Sequence, residues 1–214
     1  MLEVIKEFSL PHHRVARRIF VPVASLRLVF VLTPRVASNA IYDALSRHHG
    51  IEGARTWNER AVLPALTLDE VRDQVPLWPR IMFVRNPFDR LIGNFEYHVR
   101  RMKLQSSWTL RDLGFTADMG FDQFIDRAMR DPEADEHLSI QSWQTDRVHF
   151  IGRFDKLADE WKRLRDLLGV DLPALSRING DATLRPRSEY FSPSARERVI
   201  QVYDIDMRNF NFKF

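Results

Sequence analysis

The side chains of Arg35, Ser38 and Asn39 are the first group in the chain whose types and spacing suggest chemistry. A guanidinium, a hydroxyl and an amide all donate hydrogen bonds, and the guanidinium also carries a fixed positive charge. An apolar run precedes them and apolar residues at helical spacing follow, which predicts a strand, a tight loop and a helix. The free N–H groups and the positive dipole end of that helix would add to the side-chain donors. The segment therefore suits a phosphate or a sulfate group.

This segment, residues 33–39, is not a Walker A loop, because it lacks the glycines and the Gly-Lys-Ser/Thr ending of that motif. A kinase or another NTPase of the P-loop type is disfavoured for the same reason, and no convincing partner for magnesium is visible. Considered alone, the segment has a second interpretation, which is an ordinary turn between a strand and a helix of a parallel sheet.

Arg85 is a second candidate for anion binding. It directly follows the apolar run Arg80–Val84, which has the length of a strand. Pro87 fits the first turn of a following helix, where a missing N–H costs nothing. Arg85 is therefore expected at the carboxyl end of a strand, the edge at which open α/β sheets bind ligands.

Three apolar runs predict the elements that must position these residues. They are expected to form strands near residues 26–32, 80–84 and 148–151. Each is followed by a helical pattern, so the sequence predicts an α/β protein with a central parallel sheet flanked by helices. The first helix is expected from Ser38 to about Arg47, with Gly50 as its stop. The first 25 residues are expected to be irregular or short-helical, and residues 67–74 to form a short helix with a capping box.

The composition limits the class of protein. With 214 residues, 44% of them apolar, the chain is long enough for one well-packed domain, expected to span residues 1–214. The absence of cysteine excludes a disulfide framework and a cysteine nucleophile, and no metal site is suggested.

A net charge of +3 without a Lys/Arg block gives no reason to expect nucleic acid. No apolar run approaches the ~20 residues of a membrane span and no signal peptide is visible, so a cytoplasmic protein without a membrane span is expected.

Two motifs of this chain resemble those of the sulfotransferases that use 3′-phosphoadenosine 5′-phosphosulfate (PAPS). Residues 33–39, Thr-Pro-Arg-Val-Ala-Ser-Asn, resemble their 5′-phosphosulfate loop, in particular the Pro-Lys-Val-Ala-Cys-Thr-Asn form of the carbohydrate sulfotransferases. Residues 83–91 resemble their 3′-phosphate motif, Phe-Val-Arg-(Asp/Glu/Asn)-Pro-Phe-(Asp/Glu)-Arg-Leu. The resemblance implies that Arg85 binds the 3′-phosphate of PAPS. It also implies that the 5′ end is bound by Arg35, Val36, Ala37, Ser38 and Asn39.

The resemblance covers about residues 26–214 and includes two departures from the family's pattern. The lysine of the phosphosulfate loop is Arg35 here, and the serine eight positions after Arg85 is Gly93. By resemblance, Gly93 and Asn94 lie at the cofactor, where Asn94 can supply the donor that a glycine lacks. Arg185 falls in a loop that closes near the cofactor in the family. The animal carbohydrate sulfotransferases are typically anchored in the Golgi, so the absence of a visible anchor favours a soluble relative of bacterial type.

The general base has two candidates. Residues 137–141, His-Leu-Ser-Ile-Gln, resemble a His-Trp-x-Pro-Gln element that lies near the active cleft of the family, which makes His137 a candidate for proton transfer. In the family the base is often a His or Glu from the connection between the first two strands, where Glu59 is the carboxylate candidate. The alternatives are a histidine on a surface loop and a solvated glutamate.

The resemblance implies a P-loop-NTPase-like three-layer fold and transfer of a sulfuryl group from PAPS to an acceptor hydroxyl, which leaves 3′-phosphoadenosine 5′-phosphate (PAP). A small molecule or a carbohydrate is the expected acceptor. Three tryptophans are candidates to stack on a sugar ring or, alternatively, to pack in the core: Trp57, Trp108 and Trp143. A catalytically weak or inactive member that binds the nucleotide or a sulfated ligand is the alternative function. Arg35 and Gly93 motivate it, because arginine is a poorer proton donor than lysine and glycine has no hydroxyl.

Overall fold

The computed structural model of the protein describes residues 2–11, 17–52, 63–105, 108–176 and 185–214. They divide into two compact units. Unit 1 comprises Met1–Val84 and Gln144–Gly180, and unit 2 comprises Arg85–Trp143 and Asp181–Phe214. The expectation of one domain over residues 1–214 stays a prediction.

Unit 1 contains all the strands found in the described residues. They are β1 (Lys6–Glu7), β2 (Phe20–Val23), β3 (Leu28–Val31), β4 (Arg80–Val84), β5 (Arg147–Val148) and β6 (Phe150–Arg153). Four of them form a sheet in the order β2-β3-β4-β6, and β1 pairs with β5. The pairs β3–β4 and β4–β6 are parallel, whereas β2 runs antiparallel to β3. The three predicted strands and their parallel pairing are therefore confirmed, and the complete sheet is mixed.

The strand β2 corrects the expectation of an irregular or short-helical lead-in. Its residues Phe20, Val21 and Val23 are almost completely buried, as expected for aromatic and β-branched side chains in a sheet. Pro22 also lies in this strand, and a proline is tolerated there because β2 is at the edge of the sheet. A tight turn closed by the bond from Leu26 N–H to the Val23 carbonyl then leads into β3.

His149 interrupts the third predicted strand and separates β5 from β6. Its main-chain N–H donates to the carbonyl of Arg80 over 2.9 Å, and its ring Nδ1 accepts from the N–H of Arg80 over 3.0 Å. The imidazole thus replaces a main-chain acceptor at the start of β4. Burial, together with the positive charges of Arg147 and Arg80, lowers the pKa of His149.

The helices that the sequence predicts after the three strands and at residues 67–74 are present. The α-helices of the described residues are α1 (Ser38–His48), α2 (Leu68–Gln74), α3 (Pro87–Asn94), α4 (Trp108–Asp112), α5 (Phe121–Ala128), α6 (Leu157–Leu168), α7 (Pro193–Val202) and α8 (Asp204–Asn209). A π-helical segment, Phe95–Arg101, continues α3. The predicted capping box is present at α2, where Thr67 and Glu70 each accept a main-chain N–H of the other. Within the described parts of the chain, no helix has the length and apolar character needed to cross a membrane.

Each unit has its own hydrophobic core. In unit 1 the ring of Phe83 on β4 lies 6.0 Å from those of Phe150 and Trp161. The same ring crosses β6 at Gly152, where any Cβ would overlap it, so only glycine allows this close approach. This packing holds β4 against β6 and fixes the strand end from which the chain continues to Arg85.

In unit 2 the core is built by α3, the π-helical segment, α5 and α7. Phe95 packs against Phe121 and Phe124 with ring centroids 5.1 and 5.5 Å apart.

Candidate functional site

The loop after β3 turns into α1 through an unusual backbone. Arg35 and Ala37 adopt left-handed conformations, with φ values of 65° and 57°. Such conformations cost a residue with a Cβ about 1 to 2 kcal/mol each, and strain of this kind is concentrated at functional turns. Ala37 is the N-cap residue of α1.

The start of α1 is rich in hydrogen-bond donors. The N-cap residue Ala37 provides no side-chain hydrogen bond to the helix, and the first turn contains no acidic residue. The first N–H groups of a helix have no acceptor within the helix, and the dipole makes this end positive. Arg35, Ser38 and Asn39 flank it, with Ser38 mostly buried and the other two partly buried. The predicted order of strand, loop and helix is present, and the binding of an anion by this loop stays a prediction.

Two residues of this loop have a structural role. Thr33 donates its hydroxyl hydrogen to Oε1 of Gln144 over 2.6 Å, with both residues buried in unit 1. Val36, whose side chain is buried, donates its N–H to the Thr33 carbonyl over 3.2 Å. The predicted contribution of the Val36 N–H to ligand binding would therefore compete with a bond inside the loop. It remains a prediction, as do the ligand contacts of the other loop residues.

Arg85 begins unit 2, directly after the last residue of β4. Its main-chain N–H donates to Oε1 of Gln141 over 2.9 Å, and its carbonyl accepts from Nε2 of Gln141 over 2.8 Å. One side-chain amide thus satisfies both main-chain groups, as a neighbouring strand would. The main chain of Arg85 is fixed, while its side chain is only partly buried.

The residues after Arg85 form the start of α3, as predicted. Asn86 is the N-cap and accepts the N–H of Phe88 over 3.1 Å, and Pro87 lies in the first turn. Gly93 and Asn94 are buried near the end of α3. Asn94 donates its side-chain N–H to the carbonyl of His137 over 2.6 Å. Its predicted contact with the cofactor stays a prediction, and one function of its amide is to hold the segment that carries His137.

His137 and Asp135 form a hydrogen-bonded pair. Oδ1 of Asp135 lies 2.8 Å from Nδ1 of His137 and also accepts the main-chain N–H of His137. Burial raises the pKa of Asp135, but the hydrogen bonds and positive charge of His137 outweigh it and hold this pKa below its ordinary value. Asp135 is therefore a carboxylate at neutral pH, which favours the tautomer with a proton on Nδ1 and a lone pair on Nε2.

The surroundings of His137 restrict its orientation but leave part of the ring accessible. The His98 ring packs edge to face against it, with centroids 4.5 Å apart. His98 is carried by the π-helical segment, a geometry that occurs frequently at functional sites. The side chain of His137 remains 22% exposed, whereas that of Asp135 is 2% exposed. This is the arrangement required of a general base with an orienting carboxylate.

Arg185 lies at the surface of unit 2. Its guanidinium stacks 4.7 Å above the Tyr190 ring and lies 3.9 Å from a carboxylate oxygen of Glu189. A different arginine holds this segment to α3, since Arg187 forms a bidentate pair with Asp89 at 2.6 and 2.7 Å. The cofactor contact of Arg185 stays a prediction.

Four other sequence candidates have different outcomes. Glu59 and Trp57 lie outside the described residues. Trp143 is partly buried and packs against the core of unit 2, so core packing is at least part of its role. The side chain of Trp108 is not among those described.

Gln141 and Asp206 are not among the site residues that the sequence predicts, although Gln141 bonds both main-chain groups of Arg85 and Asp206 holds Gln141. Gln141 belongs to the motif that drew attention to His137, so the motif itself was the available signal. Asp206 accepts the N–H groups of Gln141 and Ser142. No local pattern in the sequence indicates this pairing across the chain.

Comparison with known proteins gives one match. The model of the sulfotransferase family matches residues 57–213. The matched stretch contains Arg85, Gly93, His137 and Arg185, and it begins after the loop at residues 33–39. Searches of curated proteins and of solved structures found no match.

Proposed function

Because the chain belongs to the sulfotransferase family, we propose that it transfers a sulfuryl group from PAPS to an acceptor hydroxyl and releases PAP. The observation that carries this proposal is the position of Arg85, which lies inside the matched residues and directly after β4. Its main chain is fixed and its side chain is partly exposed, as a residue that grips a phosphate requires. We also propose that the fold is of the P-loop-NTPase-like, three-layer type.

The resemblance of the two motifs assigns one arginine to each end of the donor. Arg85 binds the 3′-phosphate, since a guanidinium presents two parallel donors to a phosphate. Arg35, Ser38, Asn39 and the N–H groups at the start of α1 bind the 5′-phosphosulfate. The lack of an acidic residue in the first turn of α1 supports this assignment, because a carboxylate in that turn would repel the ligand.

The transfer step needs a base at the acceptor and positive charge at the leaving group. His137 takes the acceptor hydroxyl proton on Nε2, while Asp135 keeps Nδ1 protonated and stabilises the imidazolium that forms. The acceptor oxygen forms a bond to sulfur as the bond between sulfur and the bridging phosphate oxygen breaks. Arg35 neutralises the negative charge that develops on that oxygen.

We further propose an acceptor that is a carbohydrate or another small molecule with a hydroxyl group. The carbohydrate class is proposed from the likeness of residues 33–39 to the loop of the carbohydrate sulfotransferases. These residues precede the family match, so the acceptor class and the family membership rest on different parts of the chain.

Calorimetry and a transfer assay test the proposed function. PAP should bind more tightly than ATP, since ATP lacks the 3′-phosphate that Arg85 binds. Labelled sulfate should then pass from PAPS to at least one member of a panel of sugars, polysaccharides and phenols. Binding of PAP without any transfer would favour a non-catalytic member of the family. Gly93 and Arg35 are the departures from the family's pattern that suggest this alternative. Binding of ATP in preference to PAP would contradict both.

A further inference from the structure

The amide of Gln141 holds Arg85 at a point where the sheet no longer does. The ladder between β4 and β6 ends with the pair Val84–Arg153. Arg85 is the next residue, and its N–H and carbonyl are bonded to Oε1 and Nε2 of Gln141 at 2.9 and 2.8 Å. The amide extends the hydrogen-bonding pattern by one residue and fixes the direction in which the Arg85 side chain leaves the backbone.

Asp206 in turn holds Gln141. Its Oδ2 accepts the main-chain N–H of Gln141 over 2.9 Å and the side-chain Nε2 over 3.2 Å, and its Oδ1 accepts the N–H of Ser142 over 2.7 Å. Gln141, Ser142 and Asp206 are all fully buried. Because Oδ2 of Asp206 accepts from Nε2 of Gln141, the amide is oriented with its Oε1 toward the N–H of Arg85.

We propose that Gln141 and Asp206 are positioning residues for Arg85, which set its guanidinium in place for the 3′-phosphate of the donor. The inference rests on the proposed function. Neither residue touches the nucleotide in this assignment, and both act through the main chain of Arg85. A bidentate contact depends on the orientation of the guanidinium plane, so a loss of main-chain order should weaken it.

The energetics of Asp206 support a role beyond packing. Burial raises the pKa of its carboxyl group, although the N–H groups of Ser142 and Gln141 and the charge of Arg90 act in the opposite direction. A buried carboxylate is costly unless its hydrogen bonds are satisfied, and an apolar residue would fill the same space at lower cost. An apolar residue at position 206 could not select the orientation of the Gln141 amide.

The test uses Gln141→Met and Asp206→Asn in the full chain, with Asp204→Asn as the matched control. Methionine keeps the approximate size of glutamine but cannot make the two bonds to Arg85. Asp204 is on the same helix as Asp206, is half exposed, and pairs with Arg208. Calorimetry would compare PAP with adenosine 5′-phosphosulfate, which lacks the 3′-phosphate, and amide hydrogen exchange would follow the Arg85 N–H without any ligand.

Both test variants should lose about tenfold in affinity for PAP, should bind adenosine 5′-phosphosulfate as the wild type does, and should show faster exchange at Arg85. The control should match the wild type in all three. Folded variants with unchanged affinity for PAP, or with equal losses for both ligands, would overturn the positioning role. If the wild type binds no PAP, the proposed function fails, and the role of Gln141 and Asp206 in binding the 3′-phosphate fails with it. The exchange data would still show whether Gln141 holds the Arg85 main chain.

Discussion

At the scale of single residues, the proposed function assigns recognition of the donor's 3′-phosphate to the Arg85 guanidinium. A charge-assisted bidentate contact contributes about 1.5 to 3 kcal/mol, which corresponds to roughly ten- to a hundredfold in affinity. Arg85→Ala should therefore weaken the binding of PAP by that factor and leave adenosine 5′-phosphosulfate much less affected, as measured by calorimetry. Arg111→Ala, at an exposed position of α4, is the control. Equal losses for both ligands would mean that Arg85 only maintains the structure.

The proposed function assigns proton transfer to His137, with the carboxylate of Asp135 bonded to its ring. His137→Ala should lower kcat at least about a hundredfold, the usual size of a general-base contribution, without loss of affinity for PAP. Asp135→Asn should also lower kcat, because an amide that donates to Nδ1 leaves the proton on Nε2 and removes the basic lone pair. His49→Ala, at the exposed end of α1, should behave as wild type. If His137→Ala retains near-normal turnover, the base lies elsewhere and Glu59 becomes the residue to test.

Residue types and motifs in the sequence were sufficient to select Arg85 and His137, but they did not reveal the residues that hold them. Asp135 precedes His137 closely, yet only the fold shows that its carboxylate accepts from the ring. Asp206 is 65 residues from Gln141, and such a pairing depends on how α8 packs within unit 2. Candidate functional groups can thus be proposed from local chemistry, whereas their supporting contacts are set by tertiary packing.

At the scale of elements, the apolar runs predicted three strands and the capping residues predicted several helix ends. The sheet differs from the sequence prediction at two places, and each difference has a local physical cause. The strand β2 is not predicted from the sequence because it contains Pro22, and proline is excluded from central strands. It is permitted in β2 because this strand lies at the edge of the sheet. His149 divided the third strand, because its ring supplies the acceptor for the Arg80 N–H. A side chain that substitutes for a main-chain partner leaves no periodic signal in the sequence.

This use of His149 predicts a pH effect on stability. Its pKa in the folded protein is lowered from the ordinary value of 6.5, so below that value the unfolded chain binds more protons than the folded one. The free energy of unfolding should therefore decrease as the pH falls below about 6.5. Urea unfolding at several pH values between about 5 and 7 measures the slope. His149→Gln should flatten it and His49→Gln should not. An unchanged slope in His149→Gln would contradict the assigned role.

At the scale of the whole molecule, neither compact unit is a continuous piece of the chain. The backbone passes between them after Val84, after Trp143 and after Gly180. Because each unit needs segments that are separated in sequence, we predict that the chain unfolds as one domain over residues 1–214. Scanning calorimetry should show one transition with equal calorimetric and van't Hoff enthalpies. Two resolved transitions would mean two independently folding domains.

The family match and the sequence motifs support the proposed function from different parts of the chain. The match includes Arg85 and His137 but begins after the loop at residues 33–39. The proposed role of Arg35 therefore rests on its residue type, on the strained turn into α1 and on the resemblance of residues 33–39 to the family's loop. It is also the position where the family's usual lysine is absent, so it decides between an active transferase and a binding protein.

The most direct test is single-turnover transfer of labelled sulfate from saturating PAPS, with excess protein and the acceptor panel, for wild type, Arg35→Ala and Arg35→Lys. Circular dichroism would first establish that each variant is folded. The wild type should transfer sulfate, Arg35→Ala should be slower by at least about a hundredfold with a much smaller change in PAP affinity, and Arg35→Lys should keep or increase the rate. A wild type that binds PAP yet transfers to no acceptor, with no gain in Arg35→Lys, would contradict the proposal of a sulfotransferase and leave nucleotide binding as the function.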